Sequence, residues 1–112
     1  MVRNKITLLL FDEADRFVRS LPMKAQEKIT YNIRRLQSGL IDKDIFKKLG
    51  DSDIWELRTL YGGICYRLFA FWDNRARALI IATHGIVKKT QKTPKKEIEK
   101  AEMIRRKYLE TN

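Results

Sequence analysis

The sequence holds one cysteine and one histidine in 112 residues, and its acidic side chains are outnumbered 14 to 24 by lysine and arginine. With Cys65 alone no intrachain disulfide can form, and nothing points to an oxidising compartment, so a cytoplasmic location is expected. A single histidine excludes chemistry that needs two imidazoles as acid and base. Long apolar runs are also missing. Leu8 to Phe11 and Ile64 to Trp72, the latter broken by Arg67, fall well short of the roughly 20 residues that span a bilayer. Neither reads as a signal peptide or a membrane helix, and no membrane partner is expected. There is no glycine-rich phosphate loop, no Cys/His cluster with metal-ligand spacing and no Gly-x-Ser-x-Gly elbow, so neither a cofactor nor a metal is expected.

What is present suits one folded unit. An apolar content of 44% over 112 residues supports a single domain, 1–112, with one core, and no repeat or low-complexity linker divides it. The net charge of +10 favours polyanionic partners, without choosing between nucleic acid and anionic lipid.

Alternation from Lys5 to Leu8 predicts a first strand, which turns apolar on both sides at Leu9, Leu10 and Phe11 and is expected to be buried there. Behind Asp12 as N-cap, Ala14, Phe17, Val18 and Leu21 fall at helical spacing. Pro22 fits the first turn of a second helix, with Ala25, Ile29, Ile33 and Leu36 as its apolar stripe up to Gly39. Leu40 to Asp53 lacks a period and reads as a connecting loop with room for a partial helix or turn. Ile54 to Thr59, Ile64 to Trp72 and Arg77 to His84 read as three strands, with turns at Gly62-Gly63 and Asp73-Asn74. Past Pro94, Ile98, Ala101, Ile104 and Tyr108 predict a final helix with Thr93 as its cap. The order β-α-α-β-β-β-α implies an α+β fold: a small, mostly antiparallel sheet with the N-terminal helical hairpin on one face, the other face left open.

The chemistry concentrates in the second half. If Gly62-Gly63 is a two-residue turn, Arg58 faces Arg67 across the hairpin. Like charges so placed repel, and an anion such as phosphate between them relieves the cost; otherwise Arg58 binds a nearby Glu56 or Asp73, or the register is shifted and the arginines never meet. The run from His84 to Lys96 contains five lysines from Lys88 to Lys96, one histidine and no acid, and extends the basic character past the last strand. Cleavage of RNA through its own 2′-hydroxyl needs a base, an acid and positive charge on the transition state. Arg67 is the candidate for that charge. A lysine crowded by other cations has its pKa pushed down, which makes Lys88 and Lys89 candidates for proton transfer. His84, expected at a strand end, is either a proton shuttle or a packing residue. Arg58, Lys92, Lys47 and Lys48 are the expected RNA contacts. Cys65 lacks an evident catalytic partner, and Asp12, Glu13 and Asp15 read as helix-start acids rather than metal ligands. Trp55, Trp72, Phe69, Phe71 and Tyr61 offer aromatic surface, none of it assigned to RNA.

The segments Ile54-Trp-Glu-Leu-Arg58, Cys65-Tyr-Arg67 and His84-Gly-Ile-Val-Lys-Lys-Thr-Gln-Lys-Thr-Pro94, followed by Glu97 and Ala101, resemble the phage-derived branch of the RelE/HigB toxin superfamily. That resemblance implies a toxin–antitoxin toxin of RelE-like fold, an mRNA endoribonuclease acting on the ribosome and neutralised by a helix-turn-helix antitoxin. It places Arg67 at the family's strand arginine and Lys88-Lys89 where basic catalytic residues follow the last strand. Some members use a C-terminal tyrosine, a role not carried over to Tyr108. ParE-type toxins, which act on DNA gyrase without cleaving RNA, share the fold and are the alternative reading, and a nucleic-acid-binding domain with no catalysis is a third.

Overall fold

A computed structural model describes residues 5–88 and 92–111. Among them the chain runs β1 (Thr7–Leu10), α1 (Asp12–Arg19), α2 (Met23–Gln37), β2 (Phe46–Lys48), β3 (Trp55–Tyr61), β4 (Ile64–Asp73), β5 (Leu79–Lys88) and α3 (Lys95–Thr111). The strands form one sheet in the order β1-β5-β4-β3-β2, antiparallel except where β1 joins β5. The fold is α+β as expected, with one strand more.

The added strand, β2, lies inside the segment expected to be a loop. Three residues are too few to display alternation, and two of them are the exposed Lys47 and Lys48. Pairing with β3 and the fully buried ring of Phe46, stacked on Trp55 at 4.9 Å between centroids, hold it in place. At the opposite edge β1 departs from the expected burial. It has a strand neighbour on one side only, and Leu9 remains 47% exposed although Leu8 and Leu10 pack on the core.

Helix starts differ by one position from those expected. Phe11 in extended conformation is the N-cap of α1, with no side-chain cap bond, and Asp12 is the first helical residue. Asp12, Glu13 and Asp15 therefore act on the helix dipole rather than as caps. Pro22 caps α2, which suits its fixed φ and missing N–H. The expected stripe is buried at Ala25, Ile29 and Leu36, joined by Asn32, whose amide donates to the Thr59 hydroxyl at 3.1 Å.

The sheet is covered on both faces. On one, the helical hairpin buries Val18, Ile29, Leu36, Leu57, Leu68, Ala70 and Ile80. Phe17 of α1 lies so close to Gly85 that a methyl group there would enter its ring, so this β5 position requires glycine. On the other face α3 closes over Ile54, Phe69, Phe71 and Ile81 through Ala101, Ile98 and Tyr108. The expected free face is thus closed over its apolar part, because α3 carries an apolar stripe and those strand residues require cover. No helix among the described residues is long and apolar enough to cross a membrane.

Candidate functional site

Gly62 and Gly63 take φ values of +60° and +77°, the left-handed pair that a two-residue hairpin turn needs. The resulting register pairs Tyr61 with Ile64, Thr59 with Tyr66 and Arg58 with Arg67, as the spacing predicted. Successive pairs on the α3 face form three rows across the sheet. The first is Lys47, Glu56, Phe69 and His84; the second is Arg58, Arg67 and Ile86; the third is Leu60 and Cys65, with Lys88 the register partner of Cys65 on β5. Leu60 in the last row is 68% exposed, so the open part of this face is its hairpin end.

Arg67 does not lie on an open surface. It is 4% exposed, and its Nη1 donates to the carboxylate of Glu56, which is completely buried. The Arg58 guanidinium, about one-third exposed, stands 3.8 Å from the same carboxylate. Glu56 therefore relieves the repulsion between the facing arginines from inside the fold. A single carboxylate serves two guanidinium groups, and Thr93, ahead of α3, also donates to it at 3.0 Å. Nε of Arg67 is buried with no hydrogen-bond partner among the described residues.

The other expected site residues divide. Lys47 lies opposite Glu56, beside the arginines, whereas Lys48 lies opposite Trp55 on the reverse face, because consecutive strand residues alternate. Lys88 ends β5 opposite Cys65, one row from Arg67. Lys92 is exposed in the turn before α3. Lys89 lies outside the described residues.

His84 departs most from expectation, since β5 runs on to Lys88 and places it mid-strand. Its ring is 1% exposed and stacked on Phe69 at 4.9 Å. Nε2 lies 3.2 Å from a Glu97 carboxylate oxygen and Nδ1 2.8 Å from the Thr83 hydroxyl. With the carboxylate as acceptor, Nε2 carries the proton. The ring thus ties α3 to the sheet. Burial lowers its pKa below the ordinary 6.5, reinforced by the Lys100 charge and opposed by Glu97 and Glu13. The unfolded chain then binds a proton more readily than the folded one as pH falls below about 6.5, so this group's stabilisation is present above that value and lost through the folded pKa beneath it. The His84→Gln variant is expected to lose less stability than the parent between about pH 7 and about pH 5, measured by urea unfolding; equal losses would remove His84 as the cause.

The far end of α3 is pinned separately. Tyr108 donates its hydroxyl to Asp73 at 2.7 Å, and Arg75 holds the same carboxylate, which these contacts, Arg75 first, keep well below the usual carboxylate range. Asp73 is six residues from Arg67, about 20 Å along β4, so Tyr108 belongs to the scaffold rather than to the arginine cluster. Among the described residues no group of three or more His, Cys, Asp or Glu side chains is placed to hold a metal ion.

Thr93 and Glu97 are the site residues that sequence reasoning did not single out for this role, whereas Glu56 was one of the two carboxylates expected to balance the arginines. For Glu56 a signal existed, since it lies two residues before Arg58 on the same side of a strand. Thr93 and Glu97 reach the site only through the docking of α3.

A single mostly antiparallel sheet between a helical hairpin and a C-terminal helix, with paired arginines where that helix begins, defines a small basic α+β class. Within it, residues 16–106 match the model of the family described as phage derived protein Gp49-like (DUF891), and the chain belongs to that family. The matched span includes the Arg58–Arg67 hairpin and β5. No curated protein matches the chain.

Proposed function

We propose that this protein is the toxin of a toxin–antitoxin pair, an endoribonuclease that cleaves mRNA on the ribosome. Membership of the Gp49-like family, whose known members are toxin-like proteins of the RelE/HigB type, supports the toxin reading. The observation that carries the chemistry is the pairing of Arg58 with Arg67 around one buried carboxylate, two guanidinium groups to a single negative charge. Such a cluster keeps net positive charge, and the partly exposed Arg58 guanidinium is where a phosphate can be received.

In this reading the RNA 2′-hydroxyl attacks the adjacent phosphorus, a base removes its proton, and an acid protonates the departing 5′-oxygen. Arg58 and Arg67 stabilise the charge that builds on the phosphate oxygens. Lys88 and Lys89 are assigned the proton transfers, and Lys47 and Lys92 the neighbouring phosphates. Glu56 acts as a positioning residue, since it orients Arg67, and His84 holds α3 in place. An acidic segment of a cognate helix-turn-helix antitoxin would cover the same cations, with an affinity that weakens as salt rises.

Brief expression of the chain alone is expected to stop amino-acid incorporation and to leave new transcript ends within translated regions. Continued incorporation with stalled DNA replication would defeat the ribonuclease reading and favour action on gyrase.

A further inference from the structure

A second, smaller site lies around the β2 edge from the arginines. Trp55 and Trp72, with ring centroids 6.3 Å apart and planes at 81°, line a cavity of about 140 Å³ together with Lys48, Asp53, Asn74 and Arg105. Phe46 stacks behind Trp55 with an interplanar angle of 18° and is itself fully buried, so the indole is held from the rear. Two cations of separate origin converge here, Lys48 from the edge strand and Arg105 from α3. Arg105 is partly neutralised by Asp53 at 3.5 Å, a carboxylate that is 62% exposed. None of these residues belongs to the Arg58–Arg67 cluster.

Aromatic surface for stacking, cations for a phosphate, and an amide and a carboxylate for the edge of a base together match one nucleotide. The route between the sites is short. Trp55 and Arg58 are three residues apart on β3, about 10 Å, and Lys47 and Lys48 face opposite ways on the edge strand between them. We propose that the Trp55–Trp72 notch binds one nucleotide of a single-stranded RNA that passes round the β2 edge to the arginine cluster, its base on the indoles and its phosphate between Lys48 and Arg105. The proposal rests on the ribonuclease reading and adds a substrate-positioning site to it.

Trp55 and Trp72 are the only tryptophans, so intrinsic tryptophan fluorescence reports on the notch alone. The probe is a short, mixed-sequence 2′-O-methyl oligoribonucleotide, which lacks the hydroxyl needed for cleavage, titrated at low ionic strength with binding followed in parallel by gel mobility. Saturable quenching that tracks the mobility shift is expected, with far weaker quenching by AMP. In the Lys48→Ala/Arg105→Ala variant, which leaves the aromatic packing intact, the quenching is expected to be lost. The slope of log affinity against log salt is expected to fall by about one, the share of one phosphate contact. A mobility shift without any change in tryptophan emission, or quenching unaltered in the double variant, overturns the notch and leaves the ribonuclease reading standing. AMP binding as tightly as the oligonucleotide overturns the RNA strand as occupant. Absence of both binding and ribosomal mRNA cleavage removes the ribonuclease reading and the notch with it.

Discussion

Replacing Arg67 by alanine is expected to destabilise the folded chain by about 3–5 kcal/mol, because the buried Glu56 carboxylate loses its principal charge partner. From the sequence, Arg67→Ala is expected to abolish cleavage and leave the fold intact, since Arg67 is placed on the sheet face expected to be open. Its 4% exposure reverses the expectation for the fold. Removing both charges should restore most of the loss: Glu56→Leu/Arg67→Met leaves no buried unpaired ion, since Arg58, which also loses its carboxylate, is about one-third exposed to solvent, and apolar replacement of a buried pair is often neutral or stabilising. Urea unfolding of parent, single and double variants measures this directly. An Arg67→Ala variant within about 0.5 kcal/mol of the parent would show that the pair is not formed in solution. Cleavage should be absent from both variants, so the double variant separates a folded but inactive protein from an unfolded one.

Arg58→Ala is the cleaner test of the chemistry. The guanidinium is about one-third exposed and stands 3.8 Å from Glu56, a looser contact than that of Arg67, so its loss should change stability little. If it receives the phosphate, cleavage on translating ribosomes should fall by about 10²–10³-fold, the usual effect of removing one electrostatic contact to a transition state. Single-turnover cleavage of a ribosome-bound message gives the rate. A rate within twofold of the parent would take Arg58 out of the site, and the Arg58–Arg67 pairing would then be a structural feature balanced by Glu56.

The two arginines also show why part of the site was legible beforehand. Gly62-Gly63 between apolar strands sets a two-residue turn, and a two-residue turn sets the register, so the Arg58–Arg67 pair followed from local geometry. Nothing local determined what relieves their repulsion. Both Glu56 and an external phosphate satisfied the sequence; the inward position of Glu56 makes it the group that relieves the repulsion within the fold, and a phosphate at Arg58 belongs to the proposed reaction. Lys47 and Lys48 were grouped because they are adjacent, and were then separated onto opposite faces once their segment became a strand.

By itself the sequence determined the helices with long apolar stripes, the β3–β4 hairpin, the α+β order and the basic character, all of which arise from periodicity, turn chemistry and composition acting over a few residues. The tertiary structure alone decided that Phe46–Lys48 is a strand, that α3 covers the face expected to be open, and that His84 is a buried link to Glu97 rather than a residue at a strand end. Each of these depends on contacts between residues far apart in the chain. A three-residue strand has too little local pattern to exist without its partner, and an amphipathic helix shows which of its faces is apolar without showing which sheet face will bury it.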